Sequence, residues 1–319
     1  MLSEDPGRIL CVLKRNTPMR TKILGAIIFS AVSVMALPVV AQQSQSSSII
    51  QNAGEQERIN FSGKLRMLSQ RIPSAACHLA EGVDNAGATQ LLKSASDEFE
   101  KILTALEFGD ESLNIIGQEE RRKTLARIHD LRAQWEPMKV AAAQMAAGDT
   151  SDEVLSVVLE QNMPVLNSAK LLVSEMVAQY SNPATMVQAN SLLIDIAGRQ
   201  RMLTQKMAKE SCILASDLAD DETKANLEAT MQMFEVSLFA LMNGMQEAGI
   251  KAPPSFQISE GLRHVSLEYA QAKPTLDSLL SGQKVSLDAE ATKFKTLNTT
   301  MGKMNEVVQM YTSTMKVGL

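Results

Sequence analysis

The chain has 319 residues, with 31 Lys and Arg against 36 Asp and Glu, a net charge of −5, and only 4% aromatic residues in a composition that is 45% hydrophobic. That length suits about two domains of ordinary size. The acidic balance argues against a binder of phosphate backbones, so no nucleic acid is expected as a partner. Nineteen methionines and few aromatics favour helix over sheet.

In chain order, Arg20 and Lys22 precede an apolar run from Ile23 to Val40, closed by the small residue Ala41. A basic start, an apolar stretch and a small-residue end describe a secretory signal peptide, residues 1–41, with Met19 as an alternative start. Its removal would take the net charge from −5 to −8, since it holds five Lys/Arg and two Asp/Glu. The alternative is an uncleaved inner-membrane anchor through residues 23–40, a run nearly long enough to span a bilayer. Residues 42–50 (Gln-Gln-Ser-Gln-Ser-Ser-Ser-Ile-Ile) read as a polar linker. Beyond it, Gly, Pro and Asp clusters divide the chain into helical segments over 52–82, 87–107, 117–147, 152–180, 184–219, 221–248, 256–281 and 286–316. Pro73, Pro137, Pro164 and Pro274 fall inside them and should kink or end their helices. Short connections between eight helices predict an all-α fold of two tandem up-down four-helix bundles arranged as a pseudo-dimer, over residues 51–181 and 184–317.

An internal repeat supports this division. Residues 59–80 (INFSGKLRMLSQRIPSAACHLA) and 194–215 (IDIAGRQRMLTQKMAKESCILA) align without a gap at an offset of 135 and share nine of 22 positions. Further on, Val165-Leu166-Asn167-Ser168 is similar to Thr296-Leu297-Asn298-Thr299, which extends the copies over whole bundles. The repeat carries two helical faces. Phe61, Leu65, Leu68, Ile72 and Leu79 have the spacing of a bundle core. About 100° away runs a second stripe: Ile59, Gly63, Arg66, Gln70, Pro73 and Cys77, matched by Ile194, Gly198, Arg201, Gln205, Ala208 and Cys212. Five of these six positions are identical between copies, whereas the core face has drifted, with Leu65 opposite Gln200. A core tolerates apolar swaps. A small, polar stripe kept twice therefore predicts a surface where the copies face each other about a pseudo-two-fold axis.

The pattern N-x-[SA]-G-x-x-R-M-x-[ST]-x-[RK] in these segments resembles the P-box of nitrate/nitrite sensor kinases of the NarX type, and the related N-terminal domain of the type IV pilus chemotaxis transducer PilJ. The resemblance implies a periplasmic four-helix bundle that dimerises, in which the P-box arginine of each subunit clamps one nitrate or nitrite between two first helices. That arginine maps to Arg66 and Arg201, so one chain could supply both halves of the clamp. The family's first asparagine is Asn60 in copy one but Asp195 in copy two, which brings a negative charge near the expected anion site.

Guanidinium is planar, permanently charged and suited to bidentate contact with a planar oxyanion. Two of them facing each other would repel unless an anion lay between. Gly63 and Gly198, one turn earlier, would permit the approach. Ser62, Ser69, Thr204, Gln70 and Gln205 are secondary donor candidates, although ordinary interhelical contacts suit them better. The alternative is that both arginines point to solvent or pair with Glu55, Glu57 or Asp195. Cys77 and Cys212 occupy equivalent positions 11 residues beyond the arginines, and in an oxidising compartment a disulfide between the copies is expected. Otherwise they are two small buried thiols. His78, His129 and His264 lack metal-ligand spacing, and no nucleophile elbow, Walker loop or paired-carboxylate motif occurs. No metal, cofactor or catalytic residue is expected. The reading that follows is an exported, periplasmic module binding a small anion, nitrate or nitrite, and signalling through a separate membrane-bound sensor or transducer. Its rival is a ligand-free helical scaffold for a sensor, pilus or chemotaxis system.

Overall fold

The computed structural model describes residues 40–181 and 188–316, which form eight α-helices and two single turns of 3-10 helix. The helices are α1 (Val40–Ala80), α2 (Asn85–Phe108), α3 (Arg122–Ala146), α4 (Asp152–Tyr180), α5 (Gln188–Ala215), α6 (Asp221–Asn243), α7 (Phe256–Leu280) and α8 (Leu287–Lys316). Apart from two isolated bridges, there is no β-structure among the described residues. Antiparallel neighbours pack in chain order, with α5 also lying along α8, so the architecture is all-α, two tandem four-helix bundles. The signal-peptide reading falls almost wholly on residues outside those described. No helix among the described residues is long and apolar enough to cross a membrane.

Residues 42–50, read above as a linker, belong to α1. Gln and Ser between Ile49-Ile50 and Val40 tolerate helix, and no Gly or Pro interrupts them before Gly54. The four prolines also lie inside continuous helices, and none ends its helix. Proline at position i removes one bond to the carbonyl at i−4. At Pro73 the freed Ser69 carbonyl accepts from Gln70 Nε2 at 3.3 Å. The expected helix over 221–248 is shorter: α6 stops at Asn243, where Gly244 takes φ 78°.

That stop repeats 135 residues earlier. Gly109 (φ 85°) ends α2, a 3-10 turn over Glu111–Leu113 follows, and a bridge joins Asp110 to Ile115. In copy two, Gly244 is followed by a 3-10 turn over Gln246–Ala248 and a Met245–Ile250 bridge. At Gly109 a β-carbon would lie 2.7 Å from the Gly117 carbonyl oxygen, so the crossing excludes any side chain.

The cores repeat as well. Phe99 stacks on the buried Trp135 with centroids 4.3 Å apart, and Trp135 Nε1 donates to Glu100 at 3.0 Å. In copy two, Phe234 meets Tyr269 at 4.7 Å, and the Tyr269 hydroxyl donates to Glu235 at 2.8 Å. Trp135 and Tyr269 thus bury their apolar bodies while their polar tips keep a partner. On the core face of α1, Leu65, Leu68 and Ile72 are fully buried, with Phe61 and Leu79 partly so. Gln200, the copy-two counterpart of Leu65, is buried with both amide atoms unpartnered.

Candidate functional site

The second stripe of α1 lies against the second stripe of α5. Cys77 and Cys212 are joined by a disulfide, with their Cα atoms 6.2 Å apart. Eleven residues towards the N-terminus, about 16 Å along a helix, the two arginines meet over the two glycines. Built on Gly198, a β-carbon would sit 3.6 Å from Nη2 of both Arg201 and Arg66. Built on Gly63, it would sit 3.6 Å from Arg66 Nη2 and 3.8 Å from Arg201 Nη2. Each guanidinium therefore lies over the glycine of the other copy as well as its own. The glycines form the floor of the site. A methyl group would fit at these distances; a longer side chain would occupy the space the guanidiniums face.

The reciprocity extends to the partners. Arg66 Nη1 and Nη2 both donate to Asp195 Oδ1, each at 3.1 Å. Arg201 Nη2 donates to Asn60 Oδ1 at 3.4 Å. Asn60 and Asp195 are equivalent in the repeat, so each arginine reaches across to the same position of the other copy, as an isologous interface requires. The chemistry is nonetheless unequal. Arg66 has a carboxylate, which it shares with Arg199 at 2.6 Å. Among the described residues Arg201 has only amide partners, its Nη1 donating to Asn305 Oδ1 of α8 at 2.7 Å.

Both cations are taken from water, Arg66 being 7% exposed and Arg201 2%. Burial, and secondarily the nearby charge of Arg66, push the Arg201 pKa down to about 10 against the weaker pull of Glu98. Burial also lowers Arg66, but Asp195 opposes this directly. The Nε of each arginine is buried without a partner. A buried guanidinium with no counter-ion is costly unless another anion reaches it.

Those groups line a cavity of about 630 Å³ between α1, α4 and α5, reaching α6 at Met233 and α8 at Thr312. Lys170 joins Arg66, Arg199 and Arg201 on its wall, and Asp195 is the sole acidic side chain among the described lining residues. Burial, then Lys206, Arg66 and Arg199, lower the Lys170 pKa, as expected for a cation among cations.

Of the residues singled out from sequence, Arg66, Arg201, Gly63 and Gly198 converge here. The secondary donors do not. Ser62, Ser69 and Thr204 donate to carbonyls of their own helices, those of Ile59, Arg66 and Arg201, at 2.9, 2.8 and 2.8 Å. Gln70 donates to Asn162 at 2.6 Å, while the amide of Gln205 is buried without a partner. None of the five lines the cavity. A hydroxyl within a helix readily bonds to its own preceding turn, and spacing does not reveal that choice. Lys170, Arg199 and Asn305 escaped the sequence reading. Arg199 could have been found as a basic residue one turn after Asp195; Lys170 and Asn305 lie in helices where the copies have diverged. His78 is buried, stacked on Phe294 at 3.9 Å with Nδ1 at 2.7 Å from the Ser74 carbonyl. Among the described residues, no cluster of His, Cys, Asp or Glu suits a metal ion.

Comparison with protein families adds to this geometry. The model for the N-terminal domain of type IV pili methyl-accepting chemotaxis transducers, PilJ, matches residues 39–160 and again residues 185–294. The chain belongs to the PilJ family. It carries that family's helical domain in two segments, and at that level it is a sensory module of the type found in chemotaxis signalling, a non-catalytic family. Such a domain acts with signalling partners. No match is found among curated proteins.

Proposed function

We propose that the chain is an exported, periplasmic sensory module. In this reading Arg66 and Arg201 clamp a small inorganic anion, nitrate or nitrite first, between two PilJ-type bundles spanning 51–181 and 184–317, and a separate membrane-bound transducer reads the state. The observation carrying this reading is Arg201, a fully buried cation with amide partners only, facing a second buried arginine across the axis of the repeat. A planar monoanion between them would accept from both guanidinium forks and relieve their repulsion. Because the arginines sit on different copies, binding would favour one spacing of α1 against α5, with the disulfide holding those helices together 11 residues away. The changed angle of one bundle on the other is the signal.

The ligand-free scaffold reading has one observation in its favour. Asp195 already neutralises Arg66, so half of the clamp is satisfied from within. Calorimetric titration and thermal unfolding with nitrate, nitrite, sulfate and chloride separate the two. Stabilisation by nitrate or nitrite beyond chloride, lost in Arg66→Gln and in Arg201→Gln, supports the clamp. No response to any anion leaves the scaffold.

A further inference from the structure

The cavity is much larger than an inorganic anion. Nitrate has four non-hydrogen atoms, on the order of the volume of one or two waters, roughly 30–60 Å³. The space beside the arginines is about 630 Å³, within the range of sites that enclose organic molecules, about 300–1,000 Å³. Its chemistry is divided. Arg66 and Arg201 meet over Gly63 and Gly198, while much of the remaining wall is Ile59, Val173, Val177, Leu192, Ile194 and Met202, contributed by α1, α4 and α5. Val173 and Met202 are nearly inaccessible, and the other four are partly buried. A cluster of cations beside an apolar chamber complements a molecule with a charged head and an apolar body.

We propose that this site binds an organic monocarboxylate of medium chain length, with its head on the Arg66/Arg201 pair and its body against the valine, isoleucine and leucine side chains of the chamber. The proposal rests on the anion-clamp reading and extends it. A carboxylate offers the same planar pair of oxygens as nitrate. Arg201, which has no carboxylate partner among the described residues, is the primary anchor, and the unpartnered Nε atoms of both arginines are further donors beside the head. The body displaces water from apolar walls that a bare inorganic ion would leave wet. Neutral molecules of equal length lack the anchor, and dianions would meet Asp195.

Titration of the exported protein with acetate, butyrate, hexanoate, octanoate and decanoate, alongside nitrate and 1-octanol, tests this. Affinity should rise about fourfold per methylene until the chamber is full, as burial of each CH₂ predicts. Octanol should bind far more weakly than octanoate. Arg201→Gln should abolish octanoate binding. Val177→Trp, which fills the chamber from a partly exposed position on α4, should remove the chain-length dependence. If nitrate binds but carboxylates bind equally at every length, the organic ligand is refuted and the clamp survives. Length dependence that persists in Arg201→Gln means apolar association without a head site, and also overturns the proposal. If neither nitrate nor any carboxylate binds, both readings fall together.

Discussion

Replacing Asp195 by Asn makes the site symmetric, because Asn is what copy one carries at the equivalent position 60. In the native chain the Asp195 carboxylate takes two donors from Arg66 at 3.1 Å and one from Arg199 at 2.6 Å. It therefore competes with any incoming anion for Arg66 and repels that anion from the cavity wall. Two unit charges about 5 Å apart interact by about 3 kcal/mol at an effective dielectric of 20. The Asp195 side chain is 28% exposed and Arg199 already offsets part of its charge, so about 1–2 kcal/mol of opposition remains after screening. Asp195→Asn should thus tighten nitrate binding by about 5- to 30-fold. The anion-free protein should lose about 1–3 kcal/mol, because the buried Arg66 loses the carboxylate it donates to. At roughly 2–4 °C per kcal/mol for a chain of this size, scanning calorimetry in chloride-free buffer will resolve the drop, and titration calorimetry gives the affinity. The variant should start less stable and gain more from nitrate than the native protein. Weaker nitrate binding in Asp195→Asn would show that the carboxylate supports the ligand instead of competing with it, and the charge argument would fail.

The floor of the site makes a graded prediction. Gly63→Ala should keep the anion response, since a methyl stands 3.6–3.8 Å from the guanidiniums, whereas Gly63→Leu should weaken it more than tenfold with helicity by circular dichroism unchanged. Equal responses in the two variants would mean the space over Gly63 is not used. The cystine is expected to contribute about 2–4 kcal/mol. Cys77→Ser/Cys212→Ser should lower the urea midpoint accordingly, and quantitative thiol titration of the native protein purified without reductant should find no free Cys77 or Cys212. His78 gives a pH prediction. Burial, and secondarily Lys293, hold its pKa down to about 3 against the bond to the Ser74 carbonyl, while an unfolded histidine titrates near 6.5. The unfolded chain takes the proton first as pH falls, so this group's contribution is constant above about pH 6.5. It is then lost at about 1.4 kcal/mol per unit down to about pH 3. Urea midpoints at pH 7 and pH 4.5 should therefore diverge more in the native protein than in His78→Phe, by roughly 2–3 kcal/mol. Equal divergence would place the acid sensitivity elsewhere.

The duplication was legible because it is written in residues that cannot drift freely. Nine shared positions in 22 lie on one helix of each copy, and the small and polar ones mark the face turned towards the other copy. Helix limits were legible to within two residues at Gly82, Gly148 and Gly282, whereas α3 starts at Arg122 and not at the expected 117. They failed at residues 42–50, where polarity looked like a linker but no residue forbade helix, and at Gly244, where the chain turns earlier than the Gly249–Pro254 cluster suggested.

What the sequence by itself determined is an all-helical chain built twice, with Gly63, Arg66 and Cys77 repeated on one face as Gly198, Arg201 and Cys212. Helical period and the offset of 135 suffice for that, since both are properties of a single strand of residues. Only the tertiary structure decided which partner each arginine takes. Asp195 crosses to Arg66, Asn60 and Asn305 hold Arg201, and α4 brings Lys170 and an apolar wall to the same cavity. These contacts join helices that are distant along the chain, and no local pattern encodes a distance between them. Whether a buried charge is neutralised or left waiting depends on such distances, because electrostatic energy varies with separation and with the water that packing excludes.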